Sequence, residues 1–312
     1  MKPRLLNNGR LPPSLVARLA GDYALTTLGE QADTVAHLAE HGAAYEGLVT
    51  SAAVGADAAL LASLPRLKVI SSFGVGLDRI DLKAAQDRGI AVGYTPDVLN
   101  DCVADTAWGL LIDVARGFSA ADRYVRRGLW PQGPYPLGRQ VSGARLGIVG
   151  MGRIGRSIAQ RSLGFSMQVR YHTRTPVDGL PWAHERSLIE LARWADFLVL
   201  ITAGGAGTRH LVDAAVLDAL GPDGYLVNVA RGSVVDEAAL VAALCERRIA
   251  GAGLDVFEHE PHVPAALMAL DNVVLLPHVA SATVQTRQAM ADRVYDNLQM
   301  FFTEGHLVSA VP

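Results

Sequence analysis

Leu146-Gly147-Ile148-Val149-Gly150-Met151-Gly152-Arg153-Ile154-Gly155 decides the reading of the fold. A four-residue apolar run leads into G-x-G-x-x-G, and Arg156 to Leu163 continues with helical character. In a strand–turn–helix setting each glycine has its own task. The first permits the tight turn, the second lets backbone approach a pyrophosphate, and the third lets helix and strand pack closely. The N–H groups at the helix start then face the phosphates. Gly150, Gly152, Arg153, Ile154 and Gly155 are therefore expected to bind a dinucleotide. The next strand, Gln168 to Tyr171, ends in His172-Thr173-Arg174-Thr175. NAD sites place a carboxylate there for the ribose 2′-OH. This chain has none at that point, and Arg174 can pair with a 2′-phosphate. Thr173, Arg174 and Thr175 thus favour NADP(H), with NAD(H) possible.

Outward from this loop, short apolar runs alternate with longer stretches of helical period. The runs include Gly47–Val49, Leu67–Ile70, Phe197–Leu200, Tyr225–Val229 and Val273–Leu276. They lack polar alternation, as strands of a parallel sheet buried on both faces do. The chain reads as α/β with two doubly wound parallel-sheet domains. One is discontinuous, 1–98 plus 288–312. The other, 99–287, carries the glycine loop. A long helix from Asp101 to about Val125 is expected to carry the chain across, and a last helix from Gln288 to Phe302 to carry it back. Closure of a cleft between the domains is expected to expel water.

The 312 residues suit two domains of ordinary size. Half are hydrophobic, and the net charge of −3 gives no basic excess for nucleic acid. Two cysteines, Cys102 and Cys245, exclude a disulfide scaffold and fit a reducing compartment. No run reaches the ~18 apolar residues of a membrane span, and the N-terminus lacks a signal core. A cytoplasmic protein without membrane contact is expected.

Three further segments end apolar runs: Asn228–Gly232, Leu254–Pro261 and Leu276–Thr283. Ligands of open α/β sheets bind outside the carboxyl ends of the strands. Arg231, Glu260 and His278, placed there, form a chemically complete set for reducing a keto acid: a cation, a proton donor near neutral pH and a partner to hold it.

The order of glycine loop, Arg, Glu and His resembles that of the D-isomer-specific 2-hydroxyacid dehydrogenase family over nearly the whole chain. Within it the chain is most similar to glyoxylate/hydroxypyruvate reductases. The resemblance implies a Rossmann dinucleotide domain inserted in a flavodoxin-like substrate domain. It implies reduction of a small 2-keto acid to the D-2-hydroxy acid. Arg231 would bind the substrate's carboxylate and polarise its carbonyl, His278 would protonate the forming alkoxide, and Glu260 would hold the imidazole. Backbone N–H groups of Val75 and Gly76 would cradle the carboxylate. Thr106 and Asp255 would lie near the nicotinamide, and Ser281 beside substrate or nicotinamide. Gly128-Leu129-Trp130 resembles a loop that reaches into a partner subunit, which implies a homodimer. The family often has glycine where this chain has Ala280, which bears on substrate size.

Plainer roles go to neighbouring residues. Glu258 is expected on a solvated face, Arg123, Arg126 and Arg127 at a solvated helix end, and Trp108 and Leu111 in the core. Trp130 suits packing or a subunit contact equally. His259 and His262 lack metal-ligand spacing, so no metal is expected. An alternative function, from another class, is a dinucleotide-sensing scaffold similar to the C-terminal-binding corepressors. The lack of extended tails favours an enzyme. Oxidation of an inorganic or phosphorylated acid is a third option.

Overall fold

The computed structural model describes residues 2–311. The chain forms two compact units, one of residues up to Leu99 with those from Ala282 onward, the other of Asn100–Ser281. The second crossing precedes the last helix, Val284–Glu304, whereas the sequence reading placed it at 288, inside that helix. The helix begins earlier because Thr283 caps it, accepting from the Thr286 N–H at 3.2 Å. Its first turn holds a single apolar residue, the exposed Val284, so the apolar spacing that marks the helix in the sequence starts only at Met290.

The first unit holds five parallel strands: β1 (Arg4–Asn7), β2 (Ala24–Thr27), β3 (Gly47–Ser51), β4 (Val69–Phe73) and β5 (Ala91–Gly93), in the order β2-β1-β3-β4-β5. This is the flavodoxin-like order. β3 and β4 are buried along their whole length, which is why neither shows polar alternation. Aspartates cap three of the helices, Asp33, Asp57 and Asp81 each accepting from an N–H in the first turn. The last helix packs on this sheet. Ser71 Oγ donates to the Val294 carbonyl at 3.2 Å, and Asn297 Nδ2 to the Tyr94 carbonyl at 3.2 Å.

The second unit holds seven parallel strands: β6 (Arg145–Val149), β7 (Gln168–His172), β8 (Ala183–His184), β9 (Phe197–Leu200), β10 (Tyr225–Asn228), β11 (Gly251–Leu254) and β12 (Val273–Leu275). Their order is β12-β11-β10-β9-β6-β7-β8. The chain runs outward from β6 to β8, then restarts at β9 on the other side of β6 and runs to β12. That reversal is the topological switch point of a Rossmann sheet, where a dinucleotide binds. The long helix expected to reach Val125 is two helices, Asn100–Arg116 and Phe118–Arg126. Gly117 breaks it at φ +64°, a left-handed conformation that glycine adopts without steric penalty. Asp113 then caps the new helix by accepting from the Ser119 N–H at 2.8 Å. Trp108 and Leu111 lie in the core as expected, the Trp108 ring stacked on Phe165 at 4.4 Å. Among the described residues no helix is long and apolar enough to cross a membrane.

Candidate active site

The glycine turn follows β6. Gly150 has φ +101°, and a Cβ there would lie 2.8 Å from the Thr202 nitrogen. On Gly155 a Cβ would lie 2.2 Å from the Gly150 carbonyl oxygen, so the helix Arg153–Arg161 sits hard against the turn. Gly152 differs: a Cβ there would meet no atom within 4 Å. It caps the helix without any side-chain bond to the first-turn N–H groups. Two glycines thus serve close packing and the third faces open space at a helix N-terminus. That arrangement fits a pyrophosphate.

The Gly150 N–H donates to the His172 carbonyl at 3.0 Å, which joins the turn to the end of β7. Beyond β7, Thr173 Oγ1 donates to the Thr175 carbonyl at 2.7 Å, and the His184 ring bonds the Thr173 carbonyl at 2.9 Å. The loop is fixed by these bonds while Arg174 remains exposed. Glu185, just past β8, accepts from the Ser187 N–H at 3.3 Å and lies 3.9 Å from Arg170.

Three neighbouring strands carry the proposed chemistry at their carboxyl ends. After β10, the buried Asn228 staples the turn that presents Arg231. Its Oδ1 accepts from the Ala230 N–H at 3.0 Å, and its Nδ2 donates to the Arg231 carbonyl at 3.1 Å. The guanidinium of Arg231 donates to the Ala230 carbonyl at 2.7 Å. After β11 comes Asp255, 1 % exposed. Its two carboxylate oxygens accept from Val279 N–H at 2.7 Å and Ala280 N–H at 2.9 Å, and its carbonyl accepts from His278 N–H at 2.9 Å. Burial pushes the Asp255 carboxyl up, and those two N–H groups offset only part of it.

After β12, His278 itself has φ +53°, a conformation uncommon for a side chain that is not glycine. The three bonds from Asp255 hold it there. Its Nδ1 meets Glu260 Oε2 at 2.7 Å. Glu260 Oε1 accepts from the Phe257 N–H at 3.2 Å. Burial alone would push the Glu260 carboxyl up. The His278 hydrogen bond and charge, the Phe257 N–H and the nearby Arg231 guanidinium outweigh it and hold Glu260 below the usual carboxylate range. Glu260 therefore stays ionised at neutral pH, a negative acceptor fixed on one ring nitrogen of His278.

The second unit thus brings Arg231, Glu260, His278 and Asp255 together. Thr106, half-buried, reaches the same loop, its hydroxyl lying 3.1 Å from the Cys102 carbonyl and 3.3 Å from the Ala280 carbonyl. Ala280 is 5 % exposed, so its methyl points away from solvent. Ser281 is half-buried. Val75 and Gly76 belong to the first unit, half-buried in the loop that follows β4. Glu258 corrects the sequence reading. It is not solvated: its carboxylate accepts from Arg209 Nη2 at 2.7 Å and bonds His210 Nε2 at 2.9 Å. Sequence reasoning missed this group because Arg209 and His210 lie 48 or more residues away and belong to no recognisable spacing. Among the described residues no three His, Cys, Asp or Glu side chains are grouped to hold a metal ion.

Residues 108–280 match the model of the family described as D-isomer specific 2-hydroxyacid dehydrogenase, NAD binding domain. A glyoxylate/hydroxypyruvate reductase A of Arabidopsis thaliana is 47% identical over 274 residues, 88% of each chain. A 2-ketogluconate reductase of Gluconobacter oxydans is 43% identical over 99% of each chain. Among solved structures, an NADPH-dependent glyoxylate/hydroxypyruvate reductase of Sinorhizobium meliloti, in complex with NADP and malonate, superposes with a TM-score of 0.94. It is 44% identical and covers 100% of this chain and 97% of its own.

Proposed function

Because the chain belongs to the D-isomer specific 2-hydroxyacid dehydrogenase family, we propose that Arg231, Glu260 and His278 are the reacting set with which it reduces small 2-keto acids. The chain is an NAD(P)-dependent oxidoreductase, with glyoxylate or hydroxypyruvate as favoured substrates, in keeping with the relatives named above. The observation that carries the residue assignment is the 2.7 Å contact of Glu260 with His278 Nδ1. With Nδ1 taken, Nε2 is the nitrogen left for the substrate. The bound cofactor supplies the hydride.

The residues divide the remaining work. Arg231 pairs with the substrate carboxylate and draws electron density toward the carbonyl oxygen. His278 passes the Nε2 proton to the oxygen as negative charge develops there, leaving a neutral ring. Glu260 stabilises the protonated ring before transfer and holds its plane. The half-exposed ring then recovers its proton from solvent. Asp255 keeps the His278 backbone in place. The Val75 and Gly76 N–H groups are assigned to the substrate carboxylate. The unit ending at Leu99 and resuming at Ala282 is assigned substrate binding, and the middle unit dinucleotide binding.

Gly150, Gly152 and Gly155 would hold the pyrophosphate, and Arg174 would pair with a 2′-phosphate, so NADPH is the favoured cofactor. A panel of 2-keto acids, each assayed with NADPH and with NADH, tests the function. Turnover with glyoxylate or hydroxypyruvate is expected. Saturable cofactor binding without turnover of any keto acid would support the scaffold instead. In the same assay Arg174→Ala is expected to weaken NADPH by about 10- to 100-fold, as loss of a charge-assisted pair does, and to leave NADH almost unaffected. Equal losses for the two cofactors would remove Arg174 from the ribose site.

We further propose a cytoplasmic homodimer. Only two cysteines occur, Cys102 and Cys245, a usage that suits a reducing compartment. Phe118, Val125, Trp130 and Leu137, which flank or belong to the Gly128–Trp130 loop in sequence, are each more than half exposed, apolar surface that a subunit contact would cover. Sedimentation should give twice the chain mass, and Trp130→Ala should shift the species toward monomer; a monomeric wild type would contradict the assignment.

A further inference from the structure

Two of the three turns that carry the proposed reacting set, Ala230–Gly232 with Arg231 and Phe257–Glu260 with Glu260, meet at one point. A Cβ on Gly232 would lie 1.9 Å from the Phe257 carbonyl carbon and 2.3 Å from the Glu258 nitrogen. Backbone therefore packs on backbone at the Phe257–Glu258 peptide, with no side chain between.

Glu258 ties down the far side of that peptide. Its N–H donates to Glu237 Oε2 at 3.2 Å. Its carboxylate, with only 12 % of the side chain exposed, is gripped by Arg209 and His210. The 209–212 segment is itself tied to the chain that follows Arg231: the His210 N–H donates to the Ser233 carbonyl at 2.8 Å, and the Val212 N–H to the Val234 carbonyl at 3.0 Å. The contacts close a ring from Arg231 through Gly232, Ser233 and His210 to Glu258, and two residues further to Glu260.

We infer that Glu258 is a positioning residue: held by Arg209 and His210, it fixes the Phe257–Glu260 turn against the Arg231 turn and so sets where the Glu260 carboxylate meets His278. This rests on the assignment of Glu260 and His278 made above. The charged groups that face Glu258 are Arg209, His210 and Glu237; those that face Glu260 are His278, Arg231 and Asp255. The Glu260 carboxyl lies low only while it keeps its contacts with His278, the Phe257 N–H and Arg231. A depressed carboxyl stays ionised until pH falls through its depressed value. Loosening the turn lets that value return toward the ordinary one, so the acid limb of the rate profile moves to higher pH. A loss of stability alone would not move it.

The test is kcat, KM for hydroxypyruvate, NADPH affinity and the acid limb of the pH–rate profile in Glu258→Ala, Glu258→Gln and Arg209→Ala, with His278→Ala in parallel. Displacement of a catalytic group by ~1 Å costs on the order of 10²-fold. Glu258→Ala should therefore lose about 10- to 100-fold in kcat, keep its NADPH affinity and show the limb raised. Glu258→Gln keeps an oxygen for Arg209 and His210 and should recover most of the rate. Arg209 is 59 % exposed, so Arg209→Ala should fold normally and shift the limb in the same direction. A folded Glu258→Ala with wild-type kcat and an unmoved limb overturns the inference, as does an unmoved limb in Arg209→Ala. If His278→Ala is inactive in that case, only the role of Glu258 fails. If His278→Ala also turns over normally, the assignment of the reacting set fails with it.

Discussion

Replacing His278 by alanine is expected to lower kcat for keto-acid reduction by about 10²–10⁴-fold, the usual worth of a positioned general acid, and to leave NADPH affinity unchanged. Nδ1 is committed to Glu260 at 2.7 Å, so Nε2 is the donor available to the alkoxide, and alanine offers none. Solvent can still protonate the product, which is why residual turnover is expected. The backbone at 278 is left-handed, φ +53°, held by Asp255. Asparagine tolerates that conformation better than alanine, so His278→Asn should be equally slow in a fold free of added strain. Steady-state kinetics on both variants, with cofactor binding by fluorescence, decide the matter. Near-normal turnover in either would remove His278 from the chemistry.

Arg231→Gln is expected to reduce kcat/KM by about 10²–10³-fold, in line with removal of a charged group that stabilises a developing oxyanion. Its signature differs from that of the histidine variant. Arg231 is assigned to the carboxylate of the ground state as well as to the carbonyl, so KM should rise together with the fall in kcat. Its charge also helps to hold the Glu260 carboxyl down. Without it that carboxyl rises, and the acid limb of the rate profile should move to higher pH. Arg231→Lys keeps the charge but not the planar fork, and should recover only part of the loss. A normal KM for the keto acid in Arg231→Gln would contradict the assignment.

Much of this was legible in the sequence because it is local. The glycine turn, its strand and its helix are contiguous, and the spacing from Gly150 to Gly155 maps onto two close-packing positions and one open helix N-terminus. The fully buried strands were visible as apolar runs. β11 was less so, because Gly251 and Gly253 stand where branched residues usually mark a strand; a Cβ on Gly253 would lie 2.9 Å from Leu110 Cβ of the helix above it. β1 and β2 read Arg-Leu-Leu-Asn and Ala-Leu-Thr-Thr, each with only two apolar residues, too few to stand out as a run. The break at Gly117 was hidden because apolar spacing continues on both sides of it. The proposed set, Arg231, Glu260 and His278, was readable as strand-end residues. What held them was not: the Asp255 bonds to the 278–280 backbone and the grip of Arg209 and His210 on Glu258 join residues distant in the chain, and only the folded sheet brings them together.

Reduction of hydroxypyruvate with NADPH deuterated at the transferable C4 position follows the hydride and the proton separately. The expected product is a D-2-hydroxy acid carrying one deuterium at C2, with the hydroxyl hydrogen drawn from solvent. An L product, deuterium lost to water, or cofactor binding with no product at all would contradict it.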